Sequence, residues 1–227
     1  MNQSVKVLFE DNHLLVLDKP ALLPTMGVKA GEDSLLNRAR LYIKRKHNKP
    51  GNVYLGVVSR IDSFVTGVIV FARTSKAAAR LTTQFSQSKP HKKYLALVPA
   101  SRCEKSAELK HWVAKDEPNH RMMTVEESHP SAKQAVLNYE QVGRFENDCL
   151  VEICLVTGRK HQIRVQFSAS GMPIVGDRKY GCKRPFPRGI ALHSQSLTIT
   201  HPVLREEMSF SCQPPDYWRI ERFIQNR

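Results

Sequence analysis

Asp62 is the residue from which the chemistry of this chain is best approached. It lies in Val58-Ser59-Arg60-Ile61-Asp62-Ser63-Phe64-Val65-Thr66-Gly67, between apolar stretches at 53–58 and 67–72 that read as strands. A carboxylate in a short connection between buried strands is held on a rigid scaffold at a sheet end, where sites often form. The same placement suits an Asp that closes a turn by bonding its own backbone. The second chemistry-bearing segment is Gly158-Arg159-Lys160-His161-Gln162-Ile163-Arg164, followed by Gly171-Met172-Pro173-Ile174-Val175-Gly176-Asp177. Arg159, Lys160 and Arg164 place three cations at the start of a predicted helix, where the helix dipole favours anions. That conflict calls for an outside anion, a carboxylate from elsewhere in the chain or a phosphate. Plain surface cations are the other reading.

Other common sites are missing from the sequence. There is no GxxxxGK[ST] or GxGxxG loop, and Gly27 and Gly31 are isolated loop glycines. No GxSxG elbow supports a serine hydrolase. His161, His193 and His201 have no metal-ligand spacing, and Cys103, Cys149, Cys154, Cys182 and Cys212 form no CxxC pair. Neither a metal nor a cofactor is expected. An odd number of scattered cysteines suits free thiols in a reducing compartment.

The charge identifies the class of partner. Lys and Arg number 35 against 21 Asp and Glu, a net charge of +14 over 227 residues. A surplus of that size points to a polyanion, either nucleic acid or an anionic membrane surface. The longest apolar runs, at 14–17 and 68–72, are strand-sized, whereas a membrane span needs ~20 residues. The first residues lack the charged start and apolar stretch of a signal peptide. The expectation is a cytoplasmic, nucleic-acid-facing protein with no membrane partner, acting as a monomer.

The elements that must hold these residues follow from periodicity. Strands are predicted at 5–9 and 14–17, the second ended by Pro20, which cannot donate to a ladder. Ser34 caps a predicted helix to about residue 47, with Leu35, Leu36, Ala39, Tyr42 and Ile43 as its apolar stripe. Its other face carries Arg38, Arg40, Lys44, Arg45 and Lys46, and reads as phosphate-facing. Ser75 is expected to cap a short helix, and residues 94–98 to form a strand. The stretch 103–130 reads as polar and irregular. Strands at 135–142 and 149–156 pair around a turn at 143–148, residues 158–169 turn into a helix, and 171–187 form a basic loop. A last strand pair is expected at 191–200 and 207–212, then a C-terminal helix using Tyr217, Ile220 and Ile224. Strands outnumber helices and short turns join them, so the fold class is α+β, with a largely antiparallel mixed sheet flanked by helices. No composition break marks a linker, and the reading is one domain over 1–227.

The order of these motifs resembles the RluA-type RNA pseudouridine synthases. The likeness rests on Asp18-Lys19-Pro20, Arg60-Ile61-Asp62 with Gly67-Val68-Ile69-Val70-Phe71-Ala72, Lys93-Tyr94, Gly158 to Arg164, and Pro173-Ile174-Val175-Gly176-Asp177. Leu192-His193 and His201-Pro202 resemble the family's closing strands, and the agreement spans about residues 5–215. The resemblance implies a catalytic domain without the small N-terminal RNA-binding domain of some members. It implies catalytic roles for Asp62, Tyr94 and Arg164. In that reading Asp62 is the essential aspartate, Tyr94 packs on the flipped base, and Arg164 is the cation paired with Asp62. Arg60 enters the RNA stack as the uridine leaves, and Ile163 gives an apolar contact. Arg159, Lys160, His161 and Lys19 complete the expected RNA-binding set. The substrate class is ribosomal or transfer RNA. Two positions depart from the family pattern: Ser59 stands where a His is usual, and Val65-Thr66-Gly67 where Thr-Ser-Gly is usual.

Two other functions fit the charge. A non-catalytic RNA-binding or assembly protein explains +14 equally well, but gives no reason for Asp62, Tyr94 and Arg164 together. A glycosidase or nuclease would want paired carboxylates or a metal-binding cluster, and the motifs offer one clear carboxylate.

Overall fold

The computed structural model describes residues 4–27, 29 and 32–224; Gly31 and the side chain of Ile224 lie outside the described set. In chain order the strands are β1 (Lys6–Glu10), β2 (Leu14–Lys19), β3 (Gly56–Val57), β4 (Thr66–Ala72), β5 (His91–Pro99), β6 (Ser106–Asp116), β7 (Arg121–Val125), β8 (Lys133–Phe145), β9 (Asp148–Leu155), β10 (Leu192–Thr200) and β11 (Glu207–Ser211). The helices are α1 (Leu35–Lys46), α2 (Ser75–Ser86), α3 (Gln162–Ala169) and α4 (Glu221–Ile224). This is an α+β fold. The chain divides into two compact units, residues 1–92 with 194–213 and residues 93–193 with 214–227.

The first unit is built on β2 and β4, which pair antiparallel from Leu14 opposite Ala72 to Lys19 opposite Gly67. Both strands are apolar at successive positions because both faces are covered. Leu14, Val16, Val68, Val70 and Ala72 pack with Ala77 and Leu81 of α2. Leu15, Leu17, Ile69 and Phe71 pack with Leu35, Leu36, Ala39 and Ile43 of α1. Ser34 caps α1 as expected, its Oγ accepting from Asn37 N. For α2 the cap is Thr74, one residue before the expected Ser75, with its side chain accepting from Ala77 N. Only Gly56 and Val57 of the predicted 53–58 strand find ladder partners, in Ala72 and Phe71. Val53 and Leu55 still pack into the core beneath α1, so their alternation reports burial rather than sheet pairing.

The second unit is an antiparallel array in the order β5-β9-β8-β6-β7. The hairpin β6–β7 falls in the stretch read as irregular. Its strands are half-exposed, and a strand buried on one face keeps too few apolar residues to stand out. The predicted turn at 143–148 is also shorter than expected. Strand β8 continues to Phe145, and the reversal is made by Glu146, at φ +52°, and Asn147. Gly143 serves a different purpose: a Cβ there would lie 2.4 Å from Phe223 O, so its absence lets α4 lie against β8. Helix α3 starts at Gln162, later than the expected 158. It is fixed by Gln166, whose Nε2 donates to Leu109 O (2.8 Å) and Ala135 O (3.0 Å), and by Val165 packing on Val113 and Ala135. Among the described residues no helix is long and apolar enough to cross a membrane.

Candidate active site

The loop carrying Asp62 joins β3 to β4 in the first unit. Arg60 is exposed, while Ser59 and Asp62 are partly buried. The loop is held from below by two side chains. Thr25, almost wholly buried, donates from Oγ1 to Ile61 O at 2.9 Å. Lys19, with no exposed surface, donates from Nζ to Pro20 O (2.9 Å), Leu23 O (2.8 Å) and Ser63 O (3.1 Å). Three carbonyls match the three N–H bonds of an ammonium group. Burial pushes the Lys19 pKa down to about 7, with the Asp62 charge acting against that fall. Lys19 was expected to contact RNA; the structure places it under the loop instead, where it ties Ser63 O, just after Asp62, to the 20–23 segment, while Thr25 holds Ile61 O just before it. The 62–65 turn is closed by main chain, Val65 N donating to Asp62 O at 3.1 Å.

The support extends to α1. Its first free N–H groups, on Leu35 and Leu36, donate to Pro24 O (2.9 Å) and Thr25 O (3.1 Å). The 20–25 segment is therefore tied to a helix start on one side and to the Asp62 loop on the other. Gly67 stands where that loop enters β4. Its φ is +112°, and a Cβ would lie 2.2 Å from Ser194 O, so only glycine fits.

The other predicted residues belong to the second unit. Tyr94 is a nearly buried residue of β5, opposite Ile153. Arg159 precedes α3; its Nε donates to Gln134 O (2.9 Å) and its backbone N to Gln162 Oε1 (2.8 Å). Lys160 is exposed. His161 sits at the N-cap position of α3 in the left-handed region at φ +50°, and its Nδ1 lies 2.8 Å from Tyr180 Oη. Tyr180 Oη also accepts from Met122 N at 2.9 Å. Ile163 is almost fully buried.

Arg164 is the best-anchored cation of the set. Its Nε donates to Asp177 Oδ2 at 2.7 Å and its Nη2 to Asp177 Oδ1 at 2.8 Å, and its guanidinium lies 4.8 Å from the Tyr180 ring centroid. For Arg164, Asp177 supplies a carboxylate of the kind the cationic start of α3 called for. Asp177 was legible as part of a motif but had no assigned role. Tyr180, which touches both His161 and Arg164, carried no sequence signal beyond being an aromatic in a basic loop. Among the described residues, no group of His, Cys, Asp and Glu could hold a metal ion.

The profile of the family described as RNA pseudouridylate synthase matches residues 13–169. Ribosomal large subunit pseudouridine synthase D of Zymomonas mobilis is 32% identical over 225 residues, covering 93% of this chain and 69% of that protein. The dual-specificity RNA pseudouridine synthase RluA of Escherichia coli K12 is 34% identical over 218 residues, covering 93% of each. Among solved structures, human RNA pseudouridylate synthase domain containing 4 superposes with a TM-score of 0.79 at 24% identity, over 97% of this chain and 93% of that one.

Proposed function

The chain belongs to the RNA pseudouridylate synthase family, and from that premise we propose that Asp62 is the carboxylate through which it isomerises a uridine flipped out of an RNA stack. The reaction breaks the bond from ribose C1′ to uracil N1 and forms one from C1′ to C5. The C5 proton is lost and N1 gains one, so no atom is added or removed overall. The base must leave the stack to be reached. A single carboxylate serves as nucleophile or base, and either role needs it ionised and fixed in direction.

The observation that carries this reading is the clamp beneath Asp62. Lys19 ties Ser63 O to the carbonyls of Pro20 and Leu23, and Thr25 bonds Ile61 O, so the carboxylate is carried on a loop held at its backbone on both sides of Asp62. Exposed Arg60, two residues away, is suited to occupy the space a departing base leaves in the stack. Tyr94 takes the face of the detached base. Arg164 supplies the cation of its motif, oriented by Asp177 and Tyr180. Ile163, His161, Lys160 and Arg159 belong to the RNA-facing part of the same reading.

Ribosomal RNA is the first substrate class, since one relative is named for the large ribosomal subunit, and transfer RNA the second. The charge of +14 supports a structured polyanion in either case. The enzyme acts in the cytoplasm as a monomer in this reading. Mapping pseudouridines in RNA from a strain lacking the gene against its parent tests it. One or more uridines should lose modification, regain it with the wild-type gene and fail to regain it with Asp62→Asn. Restoration by Asp62→Asn would end the assignment of Asp62. An unchanged map, with RNA still bound, would favour a non-catalytic RNA-binding protein.

A further inference from the structure

The basic face of α1 sorts into cations that have partners and cations that do not. Arg38 is paired with Asp33 through Nε and Nη2. Lys46, His47 and Arg73 share the single carboxylate of Glu10, at 2.8, 2.7 and 2.9 Å. Among the described residues, Arg40 and Lys44 have no carboxylate partner, and both are exposed. They are the two cations of α1 that line a cleft of about 610 Å³, completed by Leu41, Gly51, Asn52, Val53 and Tyr54. The helix dipole accounts for a cation at Lys44, in the last turn, but not for Arg40 one turn earlier.

The cleft has the parts of a nucleotide site. Arg40 and Lys44 are four residues apart, about 6 Å along the helix axis, a spacing that suits successive phosphates of one strand. Tyr54 keeps 50% of its surface exposed, a large share for an aromatic beside a core. An exposed aromatic next to a cationic groove is how unpaired bases are bound without regard to sequence. Asn52 offers an amide donor and acceptor to a base edge.

We propose that this cleft is an RNA subsite apart from the Asp62 loop. It holds one unpaired nucleotide, with the base stacked on Tyr54 and the flanking phosphates on Arg40 and Lys44. The proposal rests on the reading of the protein as an RNA enzyme and extends it to where the single-stranded part of the substrate is held.

The test is equilibrium binding of fluorescein-labelled decauridylate to the full chain. Tyr54→Ala should weaken binding at least fivefold, whereas Tyr54→Phe, which keeps the ring, stays within twofold. Arg40→Ala with Lys44→Ala should weaken it at least tenfold and flatten the log–log salt slope by about 1.4, two contacts at ~0.7 each. Lys76→Ala with Lys89→Ala removes the same charge elsewhere and should cost under threefold. Gly51→Leu blocks the cleft at unchanged charge. A Cβ at Gly51 meets open space, so the fold tolerates the substitution while binding drops at least fivefold. If the Arg40/Lys44, Tyr54→Ala and Gly51→Leu proteins all match the Lys76/Lys89 control, or the wild type does not bind decauridylate, the subsite is wrong. Pseudouridine formation by the same wild-type preparation separates the two readings. Tyr54-dependent binding by protein that forms no pseudouridine removes the catalytic role and leaves the subsite. Turnover with no Tyr54 or Gly51 dependence does the reverse.

Discussion

Arg164 and Asp177 form a bidentate ion pair, 2.7 and 2.8 Å, with both side chains almost wholly buried. The pair joins the first turn of α3 to the segment that follows Gly176. It fixes the direction of a guanidinium which would otherwise be buried at the end of the helix that least favours it.

Asp177→Ala is expected to cost about 3–5 kcal/mol in urea unfolding, because breaking a buried pair takes from the Arg164 guanidinium both of its short bonds to that carboxylate. Replacing both, Arg164→Met with Asp177→Leu, should recover more than half of that loss without restoring pseudouridine formation. Full turnover by the double variant would show that Arg164 is structural alone.

Lys19 makes stability depend on pH with the same sign as a paired carboxylate, but in the alkaline range. In the folded protein it gives up its proton near pH 7, whereas the unfolded chain holds it to about 10.5. Between those values the unfolded state binds more protons, so stability rises with pH, by up to ~1.4 kcal/mol per unit. Wild type should therefore gain on Lys19→Met from pH 7 to pH 10, and the two should run parallel below pH 7. Urea titrations at pH 6, 8 and 9.5 read this directly. A constant difference across all three would mean that the three carbonyls hold the proton throughout.

Gly67 and Gly27 separate two reasons for a positive φ. Gly67→Ala drives a methyl into the backbone of Ser194, with an expected loss of about 3 kcal/mol or more. Because Gly67 lies opposite Lys19, the damage should reach the Asp62 loop, and single-turnover activity should fall with stability. Gly27→Ala has the same sign of φ but open space around the new methyl, so only the backbone term of ~1–2 kcal/mol applies. Equal losses at the two sites would contradict the close approach at Ser194.

By itself the sequence determined the features that depend on neighbours in the chain. The apolar runs of β2 and β4 announced strands, that of β4 a buried one, and α1 followed from its stripe and its Ser34 cap. The motif order from Asp18 to Asp177 indicated the family, since each motif is a local string. Features that depend on distant partners were decided only by the tertiary structure. The resemblance of its motif puts Lys19 in the RNA-binding set; only folding brings Leu23 O and Ser63 O to its ammonium and buries it. Asp177 is 13 residues from Arg164, too far along the chain for a helical pair, and the fold closes that gap. The hairpin β6–β7 was hidden because one open face keeps its strands polar, and cross-strand bonding leaves no mark in composition. Which of the α1 cations are left without a carboxylate likewise depends on Glu10, a residue of β1 that only the packing of the helix on the sheet brings to Lys46 and His47.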